Sequence, residues 1–330
     1  MFSNKRIIVA PLHWGLGHAT RCIPIIKELK QNNTVALASD GESLELLKRE
    51  FSELEWFQLP SYNIKYTFDS MIINMMIQGP SGIKTIRKEK KRANEIAKEW
   101  KADILISDNR FGFRSDQTKN IYITHQLCIP ANNRMIAGIA SRVHRNIIQK
   151  FDECWVPDHK GAKNLGGKLS QVNLNIPTQY IGPQSRMQKE EVPMKYHFTA
   201  VLSGPEPQRT RLENTLVVAF KKMKNMKLCL VRGTNEGSSP NLDDSNIDVF
   251  NLLNSEDLNQ IMNASAKIIC RSGYSSIMDL IALEKPAILI PTVGQYEQEY
   301  LAERLNGKFD FEVYSQKEIS QFLQTLSLNT

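Results

Sequence analysis

Short apolar runs alternate with longer amphipathic stretches along the first half of the chain. Apolar runs bounded by polar or turn-forming residues are typical of buried β-strands, and amphipathic stretches are typical of helices. The pattern predicts strands at 6–11, 34–40, 54–60, 102–108, 120–127 and 152–158. It predicts helices at Thr20–Lys30, Glu42–Glu50 and 83–101. Strands that are apolar along their length and separated by helices indicate a parallel sheet covered on both faces.

The same alternation starts again near residue 198. The second series predicts strands at 198–204, 227–233, 247–253, 266–273 and 286–291. Helices are predicted at Arg209–Lys222, Ser255–Asn263, Ser275–Leu283, Glu297–Asn306 and Gln316–Leu326. The stretch 175–197 is rich in proline and polar residues and fits an interdomain linker. We therefore predict an α/β protein with two doubly wound, Rossmann-like domains, 1–182 and 183–330, that face each other across a cleft.

Length and composition narrow the class of protein. The chain has 330 residues, which favours two domains over one core. It has no apolar run of about 18 residues that could span a membrane, and its first residues lack the features of a signal peptide. The five cysteines are scattered among apolar residues with no C-x-x-C pair. They are interpreted as buried free thiols of a cytoplasmic protein.

The positive charge of the chain is concentrated in its first half. Residues 1–165 contain 25 lysines and arginines against 17 aspartates and glutamates, whereas residues 166–330 contain 17 against 18. This asymmetry favours an anionic partner for the first half, such as a phosphate-bearing ligand or an anionic membrane, and a solvated basic surface is the alternative. Nucleic-acid binding is not favoured, because the basic run 87–92 lacks interleaved aromatic residues and no recognition motif is present.

The turn after the first strand reads HWGLGHAT. Gly15 and Gly17 allow close backbone approach of an anion at a helix N-terminus. A dinucleotide fingerprint would have a third glycine, but Thr20 occupies that position. Asp40 ends the second strand, where a ribose-binding acid could lie. The turn is therefore compatible with a nucleotide or another phosphate ligand, and a dinucleotide-dependent dehydrogenase is one hypothesis.

A second polar turn follows the strand that ends at Cys270. The residues of this turn and of the following helix start are Arg271, Ser272, Gly273, Ser275 and Ser276. Backbone N–H groups and hydroxyls in this arrangement suit a diphosphate. Asp279 lies one helical turn after Ser275, where its carboxylate could hold the hydroxyls of a ribose. An ordinary helix start with a surface acid is the alternative.

A third turn follows the strand that ends at Pro291. Gly294 permits the turn, and Gln298 and Glu299 begin the next helix. An amide and a carboxylate at this place suit the hydroxyls of a sugar, whereas a solvated helix start would need no ligand.

The order of these residues resembles the donor half of GT-B glycosyltransferases. The pattern is S-G-x-x-x-x-x-[DE], then a strand ending in proline, then Q-x-x-x-A about seven residues later. The most similar type is the peptidoglycan N-acetylglucosaminyltransferase of glycosyltransferase family 28, in which the first glycine turn also ends in a histidine, as GLGH does here. The resemblance is specific over 265–305, less specific over 5–30 and only architectural elsewhere.

The resemblance implies roles for individual residues. Asp279 matches the family's ribose-binding acid, which is usually a glutamate, and Ser272 and Gly273 match its phosphate turn. Gln298 and Glu299 match two glutamines that contact the sugar, so the second position departs from the family. The loop that opens the second domain is poorer in glycine here, but Gly204 can still approach a ligand, and Arg209 is a candidate for the phosphates.

The resemblance also implies an inverting transfer, which needs one general base. His18 ends the GLGH turn, Asp108 ends the strand 102–108, and His125 ends the strand 120–127. Each of the three is a candidate base. The alternatives are that His18 caps its helix or packs under Trp14, and that His125 is satisfied inside the sheet. No Asp-x-Asp occurs, so we expect no metal, and helix N-termini with Arg271 or Arg209 would stabilise the departing diphosphate.

These expectations combine into one predicted function. The chain is expected to transfer an N-acetylhexosamine or hexose from a nucleoside-diphosphate sugar, with UDP favoured, and to need no cofactor beyond this co-substrate. A nucleotide-sugar hydrolase of the same fold is the alternative. The apolar segment Met71–Ile77 and the basic residues 87–92 predict a lipid-linked or membrane-proximal acceptor, and contact with the inner face of a membrane. The alternative is that Met71–Ile77 is a core helix and the basic run is a solvated face. The sequence does not fix the sugar, the acceptor or the oligomeric state.

Overall fold

The computed structural model describes residues 2–62, 80–234 and 246–328. The chain divides into two compact units, Met1–Arg186 and Met187–Thr330. Each unit contains one parallel β-sheet whose strands alternate with helices along the chain. The α/β class predicted from the apolar pattern is therefore confirmed in both units.

The N-terminal unit has a seven-stranded sheet. Its strands are β1 (Arg6–Pro11), β2 (Thr34–Ser39), β3 (Trp56–Gln58), β4 (Ile104–Asp108), β5 (Lys119–Ile123), β6 (Glu153–Val156) and β7 (Thr178–Tyr180). The helices described in this unit are α1 (Gly17–Leu29), α2 (Gly41–Glu50), α3 (Pro80–Glu99) and α4 (Arg134–Ile148), with 3₁₀ turns at Gly161–Lys163 and Gly167–Leu169. The strand order is β3-β2-β1-β4-β5-β6-β7, and every pairing is parallel.

Both faces of this sheet are covered by helices. Ile7 and Val9 of β1 belong to a buried cluster with Ile23 of α1. Ile8, which points to the opposite face, belongs to a cluster with Ile96 of α3. A central strand buried on both faces needs apolar side chains at successive positions, which is why β1 has an unbroken apolar run.

Two elements of this unit lie outside the strands and helices predicted from the sequence. Helix α4 forms where no element was predicted, and it begins at Asn133, whose side chain accepts hydrogen bonds from the backbone N–H groups of Met135 (2.8 Å) and Ile136 (3.2 Å). Strand β7 forms inside the stretch predicted as a linker. It is a three-residue edge strand paired with β6 and only partly buried, so it carries no apolar run.

The C-terminal unit has a six-stranded sheet. Its strands are β8 (Tyr196–Val201), β9 (Leu228–Val231), β10 (Ile247–Phe250), β11 (Ser265–Cys270), β12 (Ala287–Leu289) and β13 (Phe311–Val313), in the order β10-β9-β8-β11-β12-β13. The helices described are α5 (Gln208–Phe220), α6 (Ser255–Asn263), α7 (Tyr274–Leu283), α8 (Tyr296–Leu305) and α9 (Glu318–Leu328). All pairings are parallel. The edge strand β13 was not predicted, because it is only partly buried and has no continuous apolar run.

Three further predictions concern the whole chain. None of the helices within the described residues is both long and apolar enough to cross a membrane. The five cysteines are free, and all are buried except Cys128, which is partly exposed. The predicted apolar segment Met71–Ile77 lies outside the described residues.

Candidate active site

The order of the strands in the N-terminal unit reverses between β1 and β4, which are neighbours in the sheet. Ligands of doubly wound sheets bind beyond the carboxyl ends of the strands at such a point. Asp108 is the last residue of β4, and its backbone carbonyl accepts a hydrogen bond from the N–H of Leu12 (2.9 Å). The loop after β1 then turns at Gly15, whose φ of +67° favours glycine, and enters α1 at Gly17.

His18 lies in the first turn of α1 beside Asp108. The distance between Nδ1 of His18 and Oδ1 of Asp108 is 2.8 Å. The side chain of Asp108 is fully buried, whereas that of His18 is 17 % exposed. Two of the three candidate bases predicted from the sequence are therefore in direct contact, and His18 is the more accessible of the pair.

Arg21 joins the three candidate bases. Its Nε donates to Oδ2 of Asp108 at 2.5 Å, and its Nη2 donates to Oδ1. Its Nη1 lies 3.0 Å from Nδ1 of His125, and its Nη2 lies 2.7 Å from Nδ1 of His18. Arg21 is itself buried, so the cluster places a cation against a carboxylate and two imidazoles inside the unit.

This arrangement controls the protonation of Asp108 and His18. Burial alone would raise the pKa of Asp108, but Arg21 and then His18 hold it well below its usual range. Burial lowers the pKa of His18, Arg21 lowers it further, and Asp108 opposes both effects. At neutral pH the cluster therefore contains an ionised aspartate and a neutral His18.

The Nδ1 atom of His18 faces both an acceptor and a donor. If Nδ1 carries the proton, it donates to Asp108, and Nε2 keeps a lone pair. If Nδ1 is unprotonated, it accepts from Arg21, and Nε2 carries the proton. Only the first tautomer can remove a proton through Nε2.

His125 is 5 % exposed and lies two residues after the end of β5. Because a guanidinium only donates, the 3.0 Å contact with Arg21 makes Nδ1 of His125 the acceptor, and the proton of the neutral ring is then on Nε2. In this tautomer His125 can donate a hydrogen bond but has no second lone pair with which to accept a proton.

Asp40, considered as a ribose-binding acid, is engaged inside the unit. Arg110 donates to Oδ1 of Asp40 through Nη1 (2.5 Å), to Oε1 of Glu89 through Nε (2.5 Å) and to the carbonyl of Pro60 through Nη2 (2.8 Å). Asp40 is only 3 % exposed. These contacts and the missing third glycine argue against a dinucleotide site on this turn.

The strand order of the C-terminal unit reverses between β8 and β11. Two loops follow these strands. The first contains Gly204, whose φ of +98° favours glycine. The second leads to α7, whose N-cap is Gly273, a residue without a side chain that could accept from the first backbone N–H groups of the helix. A Cβ atom added at Gly273 would meet no heavy atom within 4 Å, so this helix N-terminus is open to an anion.

The polar residues of α7 lie as the sequence pattern predicted. Ser275 and Ser276 are in its first turn and are half-buried. Asp279 follows one turn later and is also half-buried. Ser272 is buried, and its hydroxyl donates to the carbonyl of Gln298 (2.8 Å), which ties the turn after β11 to α8.

Gln298 and Glu299 hold the loop between β12 and α8. Oε1 of Gln298 accepts from the backbone N–H of Thr292 (2.9 Å), and Oε1 of Glu299 accepts from the backbone N–H of Gly294 (2.9 Å). The Nε2 group of Gln298 donates to Oε1 of Gln295. Both side chains thus shape the loop in which a sugar-binding role was predicted.

Arg271 is buried inside the C-terminal unit. It donates to the carbonyl of Ile290 (3.2 Å) through Nη1, and to the carbonyl of Gln208 (2.8 Å) and Oε1 of Gln316 (3.0 Å) through Nη2. Burial lowers its pKa to about 10. Through these contacts Arg271 links the end of β12, the start of α5 and the segment before α9. Its guanidinium is engaged inside the unit, which argues against a role in binding the diphosphate.

Arg209 is also engaged within the unit. Its Nη1 donates to Oε2 of Glu213 (2.7 Å), and its Nε donates to Oε1 of Glu206 (2.7 Å). Arg232 donates to the other oxygen of Glu213 (2.9 Å). Arg209 is nearly buried and paired with two carboxylates, so its guanidinium is engaged within the unit and is not directed at a ligand site.

Sequence reasoning did not identify Arg21, although a signal was present. Residues three apart on a helix lie on the same face, so the spacing of His18 and Arg21 predicts that the two side chains are neighbours. Among the described residues, no three His, Cys, Asp or Glu side chains are grouped as metal ligands.

Two α/β units in one chain, each with a doubly wound parallel sheet, are the architecture of GT-B glycosyltransferases. Solved structures of this class resemble the chain over nearly its whole length. The kitacinnamycin glycotransferase matches with a TM-score of 0.66 at 14 % identity, covering 98 % of this chain and 91 % of that one. The calicheamicin glycosyltransferase CalG4 matches with 0.64 at 10 % identity, covering 99 % and 90 %. MurG of Acinetobacter baumannii matches with 0.53 at 11 % identity, covering 99 % and 90 %.

Residues 210–328 match the glycosyltransferase family 28 C-terminal domain. Curated relatives carry the name UDP-N-acetylglucosamine--N-acetylmuramyl-(pentapeptide) pyrophosphoryl-undecaprenol N-acetylglucosamine transferase. The relative from Fusobacterium nucleatum is 24 % identical over 72 % of this chain and 70 % of its own. That from Clostridium botulinum is 23 % identical over 83 % and 75 %. The chain is a glycosyltransferase of the GT-B fold, and the match to the family 28 C-terminal domain lies within its C-terminal unit.

Proposed function

We propose that the chain transfers an N-acetylhexosamine or hexose from a UDP-sugar to a lipid-linked acceptor, with inversion at the anomeric carbon and without a metal ion. The single observation that carries the mechanism is the contact of a partly exposed His18 with a fully buried Asp108 at the switch point of the N-terminal unit. The names of the curated relatives, which include a UDP-sugar and a pyrophosphoryl-undecaprenol acceptor, support the substrate classes.

The C-terminal unit is proposed to bind the nucleotide. The open N-terminus of α7 offers backbone N–H groups and a partial positive charge to the diphosphate, and Ser275 and Ser276 add hydroxyl donors. Asp279, one turn further, would accept hydrogen bonds from the ribose hydroxyls. The loop shaped by Gln298 and Glu299 would contact the sugar, and the exposed carboxylate of Glu299 favours a sugar that presents donors to it.

His18 is proposed as the general base. In the tautomer that donates from Nδ1 to Asp108, its Nε2 accepts the proton of the acceptor hydroxyl, and the resulting imidazolium is stabilised by the Asp108 carboxylate. The hydroxyl oxygen forms a bond to the anomeric carbon while the bond to the UDP oxygen breaks on the opposite side. A single displacement of this kind inverts the configuration, and the helix N-terminus stabilises the leaving diphosphate.

The acceptor is proposed to be reached at a membrane surface. Arg87, Lys88 and Lys91 are exposed on α3. At the start of α4, Met135, Ile136 and Ile139 are 69 %, 41 % and 48 % exposed. Between residues 117 and 151 the chain has no aspartate or glutamate. Exposed apolar side chains on a basic amphipathic helix suit the interface of an anionic bilayer.

A transfer assay with defined substrates tests the function. Purified protein is incubated with radiolabelled UDP-N-acetylglucosamine or UDP-glucose, with and without a polyprenyl-diphosphate-linked amino-sugar acceptor, in the presence of EDTA. Labelled lipid product that depends on the acceptor supports the proposal. Release of free sugar at an equal rate without acceptor would identify a hydrolase instead, and loss of turnover in EDTA would contradict a metal-independent reaction.

A further inference from the structure

Asn109 follows Asp108 directly and has a left-handed backbone with a φ of +57°. This conformation is uncommon for residues other than glycine, and asparagine is one of the few that adopt it readily. It turns the side chain back over the preceding residue, so that Nδ2 of Asn109 donates to Oδ1 of Asp108 at 3.2 Å. The backbone N–H of Asn109 donates to the carbonyl of Ile123 (3.3 Å), which holds the turn against β5.

Tyr122 on β5 fixes the orientation of this amide. Its hydroxyl oxygen lies 3.1 Å from Oδ1 of Asn109 and 3.2 Å from Nε2 of His144 on α4. A carboxylate only accepts, so the amide nitrogen of Asn109 faces Asp108 and the amide oxygen faces the hydroxyl. Tyr122 must then donate to Asn109 and accept from Nε2–H of His144. The hydrogen bonds therefore run in one direction from His144 to Asp108.

This series of hydrogen bonds ends at Oδ1 of Asp108, which is the oxygen that contacts His18. Oδ1 of Asp108 accepts from Arg21 and Asn109 and lies 2.8 Å from Nδ1 of His18. Arg21 reaches the carboxylate from α1, as His18 does, whereas Asn109 reaches it from the end of β4. A donor fixed from this second direction restricts rotation of the carboxylate and keeps Oδ1 facing His18.

We propose that Asn109 and Tyr122 are positioning residues for the transfer reaction. They hold the Asp108 carboxylate where it accepts the Nδ1 proton of His18, which leaves Nε2 as the base instead of letting Nδ1 accept from Arg21. This inference rests on the proposed function, because it presupposes that His18 deprotonates the acceptor.

The pH dependence of the reaction should respond to the orientation of the Asp108 carboxylate. The titratable and charged groups that contact the Asp108 carboxylate are His18, Arg21 and Cys22 on α1. His125 after β5 contacts Arg21, and Tyr122 on β5 interacts electrostatically with Asp108. Contact with Asp108 raises the pKa of His18 against the effects of burial and of Arg21. A carboxylate that turns away from His18 would lower this pKa, so the acid limb of kcat/KM would move to lower pH.

Two variants with matched controls test the inference. Asn109→Gly removes the amide and keeps a residue that tolerates the left-handed backbone, and Tyr122→Phe removes only the hydroxyl. The control Asn4→Gly makes the same change at another left-handed asparagine, with a φ of +56°. The control Tyr180→Phe removes a hydroxyl that donates to the carbonyl of Ser170 (2.8 Å) in the same unit.

Asn109→Gly and Tyr122→Phe should each lower kcat about 2- to 10-fold, the size expected for the net contribution of one hydrogen bond. The donor KM should stay near wild type, and the acid limb should move to lower pH. Because both residues act through one series of hydrogen bonds, the fold decrease in kcat of the double variant should be smaller than the product of the two single decreases. Both controls should behave as wild type.

Wild-type kcat in Asn109→Gly, or a fall in kcat with an unmoved acid limb, would overturn the inference. If Tyr122→Phe does not fold, as judged by circular dichroism, Asn109→Gly decides alone. If the wild-type enzyme is active and depends on His18, but Asn109→Gly is as active as wild type, only the positioning role is contradicted. A wild-type protein without transfer activity, or full activity in His18→Ala, contradicts the proposed function itself.

Discussion

Arg21 and Asp108 form a buried two-point ion pair in which each carboxylate oxygen accepts a guanidinium N–H. A carboxylate held in this way keeps its negative charge but is a weak base, because Arg21 stabilises the ionised form. Of the three bases suggested by the sequence, Asp108 is thus better suited to orient an imidazole than to accept a proton from substrate. This leaves His18, which is partly exposed, as the group that would meet an acceptor.

The first prediction concerns His18. His18→Ala should lower kcat by about 100-fold or more, because a general base contributes a factor of this order, while UDP affinity stays near wild type. Steady-state kinetics and calorimetric titration with UDP measure the two effects separately. His159→Ala, which changes a histidine after β6 outside the cluster, is the control. A loss confined to the donor KM would make His18 a binding residue and reopen the role of His125.

The second prediction concerns Asp279. Asp279→Ala should weaken UDP binding by about 1.5–3 kcal/mol, the expected loss for hydrogen bonds from ribose hydroxyls to a charged carboxylate. Asp279→Glu restores the acid usual in the family and should retain most of the affinity. Calorimetric titration of UDP measures both. Equal affinity in wild type and Asp279→Ala would remove the ribose assignment.

The third prediction concerns acid sensitivity. Burial lowers the pKa of His144 to about 3, so the folded state does not take up the proton that this side chain binds in the unfolded state below about pH 6.5. The stability associated with the neutral ring is fully present above pH 6.5 and is lost as the pH falls towards 3. The loss should reach up to about 1.4 kcal/mol per pH unit.

His144→Gln tests this, because glutamine retains an N–H donor for Tyr122 but does not titrate. Its urea midpoint should fall less than that of wild type between pH 7 and pH 5, and His197→Gln in the C-terminal unit is the control. Parallel midpoints in wild type and His144→Gln would show that the acid sensitivity arises elsewhere.

The fourth prediction concerns the membrane. Vesicles that contain phosphatidylglycerol should sediment the protein at low salt, and binding should weaken as salt rises, because exposed basic residues meet anionic headgroups. Charge reversal of Arg87, Lys88 and Lys91 to Glu should weaken the binding. Replacement of Met135, Ile136 and Ile139 by Ser should also weaken it, through loss of the apolar contact.

Val218→Ser and Val293→Ser are matched controls, since these exposed apolar residues lie in the C-terminal unit, 59 % and 67 % exposed. They should sediment as wild type does. Equal recovery of wild type in the supernatant with anionic and neutral vesicles at low salt would contradict the membrane proposal.

Sequence reasoning located the polar turns but not all the partners of their side chains. The apolar runs predicted the central strands correctly. His18, Asp108 and His125, which end or follow those strands, lie in one cluster in the structure. Arg271 could not be assigned in this way, because its partners Gln208 and Gln316 are 63 and 45 residues away in the chain. A local motif shows that an arginine is present at a turn, but only long-range packing decides whether it faces a ligand or a carbonyl inside the fold.

The missed elements have a similar cause. Helix α4 is amphipathic, but part of its apolar face is exposed instead of packed in the core, at Met135, Ile136 and Ile139. Its buried side holds His144 and Ser141, which are polar residues on the face where apolar ones are expected. The edge strands β7 and β13 are short and only partly buried, so neither has the continuous apolar run by which the other strands were predicted.

The contacts of Arg110 link the loops at the carboxyl edge of the N-terminal sheet. Its guanidinium joins Asp40 after β2, Pro60 after β3 and Glu89 on α3, and Glu89 also accepts from the backbone N–H of Gly112 (2.7 Å). Local opening of any one of these segments would leave a buried charge uncompensated, which is costly. The segments should therefore open only together, and the amide of Gly112, although it lies in a loop, should exchange with deuterium as slowly as the amides of β4.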